Sequence, residues 1–566
     1  MRQKDLLKHF LPLCLVPSLL ALTGIHRLGG GDVWWHIRLG EALLAGVWPP
    51  NQDLFSYTAE GPLTYVEPLS DVLFYSADQV AGHAGLIGLK VTILFLLGLC
   101  LISSTLITIP KRDVHRMTFV MVMGLTAAAL QPRMIVRPFL FSWVIFALFI
   151  ALLHLARRKQ IATYLWLLPG ITVLWTNTHR SAVLAFFLVG LFYAFQWKSD
   201  GHPSLKRTSL WVCLLTIGAV MVQPAGDYAL YSPFQALFAS PDVVHIEEWA
   251  TLTFPIMVNE FPFFIFISLI WIAGWATHRR AFDFGSALVL VFLVASYEIR
   301  FIPFATIVMF PGLLWDVETF RKWLQERFGV RDSILSFSML GLGLSVTAAG
   351  HFFMIEPEME GVGTARWVPT HAADFLHETP PPGPMYNDYN VGGYLLYRLS
   401  PKQPVFVDPR TQNTLYSPDF LRTVWKAPVN EEAFKKLQRQ HRFKFAVIPF
   451  SQPQGYAHLL KKREWAMVYW DDAAAIFVLQ DEETKAYVRE YGYVHLRMGQ
   501  RWDDIANGLG GPHGHEWAQD IIRNKRQAPH SRRAEFVYLK AMKVKPDVMQ
   551  KAHTLSKPFQ DRDHNE

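Results

Sequence analysis

The sequence predicts an α-helical polytopic membrane protein with about eleven transmembrane helices, followed by a small α/β domain and a helical tail. Three observations support this fold class. Of the 566 residues, 51% are hydrophobic and only 18% are charged. The mean hydropathy of the chain is positive, at +0.17. The apolar residues are concentrated before residue 356 in segments long enough to cross a bilayer. Shorter apolar runs follow them, and PVFVD, KFAVIPF and AAAIFVL are predicted to be strands.

The number of transmembrane helices follows from the length of the apolar segments. A bilayer core about 30 Å thick requires about 20 predominantly apolar helical residues, because lipid offers no hydrogen-bond partner to an exposed backbone. Eleven segments of the chain approach this length. They lie near residues 7–24, 84–107, 117–132, 138–156, 162–177, 181–197, 208–224, 261–277, 284–299, 301–315 and 333–355.

The distribution of basic residues predicts the orientation of these helices. Lys and Arg are retained on the cytoplasmic side of short loops. With a cytoplasmic N-terminus, the inner segments carry eighteen Lys and Arg, and the outer segments before the last span carry six. We therefore predict a multi-pass membrane protein with a transmembrane domain at 1–356, an extracytoplasmic α/β domain at 357–480 and a polar, helical accessory tail at 481–566.

Charge and motif content exclude several classes of protein. The net charge of +7 is spread along the chain without a basic tail, so no nucleic-acid partner is predicted. The three cysteines lie in apolar stretches and form no CxxC pair, which excludes a cysteine zinc site or a disulfide framework. His513 and His515 flank one glycine in the tail. Without a third ligand, solvated loop histidines are the simpler interpretation, and a metal site stays open.

Two long outer loops are rich in carboxylates. The loop at 25–83 contains seven acidic residues and only two arginines, and the stretch at 225–260 contains five acidic residues and no Lys or Arg. Long polar loops often carry function. Translocated loops also avoid basic residues, and this explains most of the acidic side chains without any catalytic role.

Asp32 and Glu67 differ from the other loop carboxylates in their surroundings. Asp32 follows the first span and precedes Trp34, Trp35 and His36, whereas Glu67 lies near the end of the same loop. A partly desolvated carboxylate can act as a general base or bind a divalent cation. The aromatic residues are consistent either with a platform for a substrate or with the aromatic belt found at membrane interfaces.

Four arginines lie at the outer ends of predicted spans. Arginine close to lipid is costly unless it is paired, and a guanidinium group matches the oxygens of a phosphate in a bidentate fork. These arginines therefore predict a site for the phosphate of a lipid-linked donor. For each one alone, pairing with a loop carboxylate such as Glu298 or contact with lipid headgroups is the alternative. The four are Arg133, Arg137, Arg180 and Arg300.

Several strings of the sequence resemble a known superfamily. The string GDVWWHIRLGEALLAGVWPPNQDLFSYT, followed by Glu67, resembles the first outer loop of bacterial membrane proteins of the GT-C glycosyltransferase superfamily. These are similar to protein O-mannosyltransferases and aminoarabinose transferases, which use polyprenyl- or dolichyl-linked sugars. The resemblance covers roughly the first 480 residues. Its further pieces are Arg137–Pro138, Asn177–His179, Gln223–Gly226 with Glu248 and Trp249, Arg300–Pro303, NDYNVGGYLLYRL and PVFVDPRT.

The resemblance implies a protein of the bacterial inner membrane that transfers a sugar from a polyprenyl-phosphate donor to an extracytoplasmic glycan, lipid or protein. The transfer would proceed by inverting displacement at the outer face of that membrane. Position by position, it implies that Asp32 is the first-loop catalytic aspartate and Glu67 a second catalytic carboxylate. The four arginines, predicted from their position and chemistry to bind phosphate, would hold the phosphate of the donor. A divalent cation at the carboxylates stays an open alternative. A non-catalytic transporter or assembly scaffold for envelope polysaccharide is the competing hypothesis. The predicted substrate contacts are Trp34, Trp35, His36, Asp53, His179 and Glu248.

Overall fold

The computed structural model divides the chain into two compact units. The membrane unit comprises the described residues of 1–30, 39–47 and 64–364, and the sheet unit comprises those of 31–38, 48–63 and 365–566. The helix Val33–Leu44 contributes residues to both. The structure describes residues 15–47, 53–61, 66–108, 114–198, 202–232, 251–277, 283–410, 415–450, 455–456, 458–459 and 464–555.

The regular secondary structure in the described part of the membrane unit is helical. Short 3₁₀ segments precede or follow several of the helices, at Gln131–Arg133, Ala162–Trp166, Arg180–Val183, Ile299–Phe301 and Pro357–Met359. The α-helices after Val33–Leu44 are Pro68–Thr108, Arg116–Leu130, Phe139–Lys159, Leu167–Thr178, Leu184–Lys198, Pro203–Val220, Phe254–Glu260, Pro262–Thr277, Phe284–Ala295, Ile302–Phe328 and Asp332–Met354.

Described helical residues occur in each of the eleven predicted segments, but fewer helices have the length and composition of a span. Five of the described helices meet that criterion, or six if the bent pair Phe254–Glu260 and Pro262–Thr277 is one span. Others are short: Leu167–Thr178 and Phe284–Ala295 have 12 residues each. Since about 20 residues are needed to cross the hydrocarbon core, the number eleven stays a prediction.

Much of the predicted outer loop at 25–83 is helical, and its placement outside the membrane stays a prediction. The helix Val33–Leu44 lies inside it, and the long helix Pro68–Thr108 begins well before the predicted start at residue 84. That long helix has a kink at Ala81 and Gly82, and Gly82 has a φ of 54°, which glycine adopts without a Cβ clash. Hydropathy marked the apolar part after the kink and missed the more polar turns before it.

Small residues allow close helix packing in the membrane unit. A Cβ on Gly124 would collide with the Gly343 carbonyl, and a Cβ on Gly350 would lie 2.6 Å from the Ala128 Cβ. The helices Arg116–Leu130 and Asp332–Met354 therefore approach backbone to backbone. Such contacts are the usual means of association where lipid provides no hydrophobic driving force between helices.

The sheet unit contains a four-stranded mixed sheet in the order β1-β2-β4-β3. β1 (Met385–Asn387) is parallel to β2 (Phe445–Pro449), and β4 (Ala474–Leu479) is antiparallel to both β2 and β3 (Trp465–Trp470). The strands are almost fully buried. The helices of this unit are Thr370–Glu378, Tyr389–Leu399, Pro418–Lys426, Glu431–His441, Lys485–Tyr491, Trp502–Gly510, Gly514–Gln527, Arg532–Val544 and Pro546–Leu555.

The strands predicted from KFAVIPF and AAAIFVL are confirmed as β2 and β4, whereas β3 was missed and the strand predicted from PVFVD is wrong. The PVFVD segment forms one isolated bridge, between Val405 and Ser56. Side chains satisfy its backbone instead: the Phe406 carbonyl accepts hydrogen bonds from the Ser56 and Thr58 hydroxyls, and its amide donates to the Asn387 side chain. The predicted domain boundaries at 356 and 480 stay predictions.

Candidate functional site

Three of the predicted site residues lie together in the membrane unit. Glu67 directly precedes the helix Pro68–Thr108 and is buried. Its Oε1 accepts a hydrogen bond from the Arg180 backbone amide at 3.3 Å and lies 3.7 Å from Arg180 Nε. The same oxygen lies 3.9 Å from His179 Nε2. We call Glu67, His179 and Arg180 the Glu67 cluster.

Helix termini position the Glu67 cluster. His179 ends the helix Leu167–Thr178 in an extended conformation, and Arg180 begins the 3₁₀ segment that follows. The Ser70 hydroxyl donates to the Thr178 carbonyl at 2.6 Å. This bond ties the first turn of the helix after Glu67 to the end of the helix before His179, so the carboxylate and the two basic side chains have a fixed separation.

The orientation of the His179 ring follows from its hydrogen bonds. Its Nδ1 accepts from the Ser181 amide at 3.2 Å and lies 2.7 Å from the Ser181 hydroxyl. That hydroxyl also contacts Ser142 Oγ at 2.8 Å, and the Trp175 indole donates to the same Ser142 oxygen at 2.9 Å. With Nδ1 accepting from an amide, a neutral ring carries its proton on Nε2, toward Glu67.

Burial is the main cause that lowers the pKa of His179, and the guanidinium groups of Arg180 and Arg300 lower it further, to about 3. The imidazole is therefore neutral at pH 7, and its contact with Glu67 is not an ion pair. The positive charge around the Glu67 carboxylate comes from arginine. This matters for phosphate binding, because a guanidinium stays charged at every pH at which the protein is folded.

Arg300 lies close enough to His179 to influence its pKa. Its guanidinium forms an ion pair with Glu298 and lies 5.6 Å from the centre of the Phe301 ring. The pairing with Glu298 is the alternative that the sequence left open for this arginine. A role for Arg300 in phosphate binding beside the Glu67 cluster is therefore a proposal.

Arg133 and Arg137 precede the helix Phe139–Lys159 and are both half-buried. The Arg133 guanidinium lies 5.1 Å from the centre of the Phe139 ring. Ser142, one turn into this helix, contacts Ser181 in the hydrogen-bonded network around His179. The N-terminal end of the helix and the Glu67 cluster therefore belong to one connected part of the membrane unit.

The aromatic residues after Asp32 pack inside the sheet unit. Asp32 directly precedes the helix Val33–Leu44 and is half-buried. Trp34, Trp35 and His36 are buried, and Trp34 packs edge-to-face against Tyr394 with the ring centres 4.8 Å apart. Trp34 thus has a packing partner in the sheet unit, and its contact with a substrate stays a prediction.

Three strings of the resemblance lie against one another in the sheet unit. A Cβ on Gly393, in NDYNVGGYLLYRL, would collide with the Gly31 carbonyl, and a Cβ on Gly392 would collide with the Val407 carbonyl. The Arg38 guanidinium donates to the carbonyls of Tyr397 at 2.8 Å and Ser400 at 2.6 Å. These glycines therefore allow a close approach of backbone segments.

Asp53 is part of a buried ionic network. Its carboxylate accepts two hydrogen bonds from the Arg410 guanidinium, at 2.6 and 2.9 Å, and Asp408 accepts a third from Arg410 Nε at 2.7 Å. The side chains of Asp53 and Arg410 are 1% and 0% exposed. Tyr416 donates to Asp408 at 2.7 Å. We call Asp53, Asp408, Arg410 and Tyr416 the Arg410 network; it gives Asp53 a structural partner.

Electrostatics in the Arg410 network favours the charged forms. Burial alone would raise the pKa of Asp408, but the charge and hydrogen bonds of Arg410 outweigh it and hold that pKa below its usual value. Burial would lower the pKa of Arg410, and Asp408 and Asp53 together raise it well above its usual value.

Glu248, the remaining predicted substrate contact, lies outside the described residues. The sequence analysis did not single out Ser70, Ser142 or Ser181, since isolated serines carry no spacing signal.

No protein-family model matches the sequence, and no sequence among the curated proteins matches it. The fold is similar to that of solved structures. The oligosaccharyltransferase AglB from Archaeoglobus fulgidus, in complex with an inhibitory peptide and a dolichol-phosphate, has a TM-score of 0.59 at 11% identity, and the match covers 95% of this chain and 86% of that one. The chain has the fold of the GT-C membrane glycosyltransferases.

Two further structures share the GT-C fold with this chain. ArnT from Cupriavidus metallidurans, in the apo state, has a TM-score of 0.50 at 13% identity, and the match covers 84% of this chain and 98% of that one. The mycobacterial arabinofuranosyltransferase AftD has a TM-score of 0.51 at 12% identity, with 84% of this chain and 42% of that chain covered. The resemblance found in the sequence is confirmed at the level of the fold, and the chain is a multi-pass membrane protein.

Proposed function

We propose that this protein transfers a sugar from a polyprenyl-phosphate-linked donor to an extracytoplasmic glycan, lipid or protein at the outer face of the bacterial inner membrane. The GT-C fold carries this proposal. AglB, which shares that fold, is an oligosaccharyltransferase whose structure contains a dolichol-phosphate. The proposed orientation, with the N-terminus in the cytoplasm, rests on the excess of Lys and Arg in the predicted inner segments.

In the proposed reaction the acceptor hydroxyl attacks the anomeric carbon directly and the lipid phosphate leaves from the opposite face, so the configuration inverts. Asp32 takes the proton of the attacking hydroxyl, and Glu67 is the second catalytic carboxylate. A phosphate is already a good leaving group, so the enzyme mainly has to stabilise its negative charge.

Arginines are the proposed source of that stabilisation. A guanidinium has five N–H donors, so Arg180 can keep its contact with Glu67 and still donate to a phosphate oxygen. Arg300 contributes a second positive charge near His179, and Arg133 and Arg137 lie at the connected helix end. Asp53 and Trp34 have partners in the sheet unit, Arg410 and Tyr394, and the proposed mechanism gives neither of them a chemical step.

The test is a transfer assay on the purified full-length chain in lipid nanodiscs. A panel of radiolabelled polyprenyl-phosphate sugars would be incubated with extracts of envelope glycan, lipid and protein, and the anomeric configuration of any product would be determined by NMR. We expect transfer from at least one donor with inversion. If every donor bound without transfer, the scaffold hypothesis would replace this one; if none bound, the fold would serve another function.

A pair of arginine variants tests phosphate binding. Arg137→Gln and Arg180→Gln are each expected to weaken binding of unglycosylated polyprenyl phosphate by about 10- to 100-fold, because a hydrogen bond to a charged group contributes about 1.5–3 kcal/mol. The measurement is equilibrium binding of radiolabelled polyprenyl phosphate. Arg158→Gln is the matched control, since Arg158 is exposed in the last turn of the helix that follows Arg137. Equal losses in all three variants would contradict a specific phosphate site.

A further inference from the structure

Three side chains of the C-terminal helical segment converge on one point. His495 lies between the helices Lys485–Tyr491 and Trp502–Gly510, and His513 and Glu516 lie at the start of the helix Gly514–Gln527. One potential ligand atom from each of the three lies within 4.8 Å of the others. His495 Nε2 is 2.7 Å from one Glu516 oxygen, and His513 Nδ1 is 3.4 Å from the other.

These separations suit a tetrahedral metal ion. Zinc binds histidine nitrogen at about 2.0–2.1 Å and carboxylate oxygen at about 2.0–2.2 Å. Tetrahedral angles then place two ligand atoms about 3.4 Å apart. The two distances between histidine nitrogen and Glu516 oxygen, 2.7 and 3.4 Å, both lie within about 1 Å of that spacing.

The backbone and ring of His495 are held in place by groups that do not belong to the cluster. The amides of His495 and Leu496 donate to the buried Asp520 carboxylate at 2.6 and 2.9 Å. The Gln500 side chain donates to the His495 carbonyl at 3.0 Å. The imidazole stacks on the Trp517 ring with an angle of 14° between the planes. Such supporting contacts orient metal ligands and lower the entropy lost on binding.

We propose that His495 Nε2, His513 Nδ1 and the Glu516 carboxylate bind a divalent transition-metal ion with the coordination chemistry of Zn²⁺. Two imidazole nitrogens and one carboxylate select such ions over Ca²⁺ and Mg²⁺, which prefer ligand sets made of oxygen. Three protein ligands leave a fourth position for water or an external ligand. The ion would join the segment containing His495 to the start of the helix Gly514–Gln527.

The site was not assigned from the sequence because its ligands are separated along the chain. The sequence pairs His513 with His515, whereas the structure pairs His513 with Glu516 and with His495, which precedes it by 18 positions. His515 is not part of the cluster. It therefore provides a control: a histidine two positions away whose removal leaves all three proposed ligands intact.

The experiment uses the full-length chain, purified with a tag that contains no histidine and stripped of metal with a chelator. Zn²⁺ binding would be measured by competition with a chromophoric chelator, and the bound metal would be counted by mass spectrometry. Wild type is expected to bind one Zn²⁺ per chain. Loss of a supporting residue alone typically costs 10–100-fold in affinity, so His513→Ala and Glu516→Gln should each weaken binding by at least about tenfold.

His515→Ala should bind Zn²⁺ as wild type does, and Mg²⁺ should not compete at millimolar concentration. Zn²⁺ should also raise the thermal unfolding midpoint of wild type and of His515→Ala, and should raise that of Glu516→Gln by less at the same Zn²⁺ concentration. The proposal is overturned if wild type binds no more Zn²⁺ than the triple variant His495→Ala, His513→Ala, Glu516→Gln, or if His515→Ala loses as much affinity as His513→Ala. His513 is 62% exposed, so its removal is not expected to disturb folding.

Discussion

Replacing Asp32 with asparagine is expected to lower the rate of sugar transfer by about 10²- to 10⁴-fold, the range that general-base catalysis contributes. An amide has the same shape as the carboxylate but cannot accept the proton of the attacking hydroxyl. Asparagine is also as favourable as aspartate directly before a helix, and Asp32 directly precedes Val33–Leu44. The fold should therefore survive the substitution, and the loss should appear in the chemical step.

The measurement is kcat for the best donor, together with equilibrium binding of polyprenyl phosphate. Asp32→Asn should reduce kcat and leave lipid-phosphate binding within about twofold of wild type, whereas Arg180→Gln should weaken binding as described above. Glu41→Gln is the matched control, since Glu41 lies in the same helix as the residues that follow Asp32. Full transfer activity in a folded Asp32→Asn variant would remove Asp32 from the mechanism and leave Glu67 as the candidate base.

Local patterns in the sequence predicted the parts of this protein that depend on local chemistry. Hydropathy located the helical segments because a segment that crosses lipid has apolar side chains and must satisfy its backbone hydrogen bonds internally, as a helix does. The two strands with continuous apolar runs, KFAVIPF and AAAIFVL, were found for a similar reason. Glu67, His179 and Arg180 were selected separately, as a loop carboxylate and as polar residues at the end of a span. That they touch could not be read from spacing, because 112 positions separate Glu67 from His179.

Partners distant in the sequence account for what was missed. The ion pair of Asp53 could not be predicted from the sequence, because its partner, Arg410, is 357 positions away. Trp34 was placed at the membrane surface or on a substrate platform, and the ring it packs against belongs to Tyr394. The PVFVD segment has the composition of a strand, but side chains from two distant segments take its hydrogen bonds. In each case a tertiary contact that local sequence patterns do not encode determines the local structure or the partner.

Replacing Arg410 with methionine is expected to destabilise the protein by about 3–5 kcal/mol, because it leaves buried carboxylates without a counter-charge. Arg410 donates to both Asp53 and Asp408, and the side chains of all three are at most 1% exposed. Since 1 kcal/mol corresponds to about 2–4 °C in a domain of about 150–250 residues, this should lower the thermal unfolding midpoint by about 6–20 °C. Differential scanning fluorimetry on the full-length chain would measure the shift.

Arg398→Met is the matched control. Arg398 also pairs with an aspartate in the sheet unit, but both partners, Arg398 and Asp374, are 43% exposed. Exposed ion pairs contribute about 0–1 kcal/mol, so the control should unfold within a few degrees of wild type. If both variants unfolded at the same temperature, the Arg410 network would not be a major contributor to stability.

The pH dependence separates loss of charge pairing from loss of packing. In wild type the pKa of Asp408 is held below its usual value, so the stability from ionised Asp408 is present above the unfolded-state pKa of about 3.9 and is lost as the pH falls through the lower folded-state pKa. In Arg410→Met, burial without the guanidinium raises the folded-state pKa of Asp408 above the unfolded value. The variant then binds more protons when folded and gains stability as the pH falls from 7 toward about 4. We expect the difference in unfolding midpoint between wild type and Arg410→Met to be smaller at pH 5 than at pH 7, whereas a loss of packing alone would leave it unchanged.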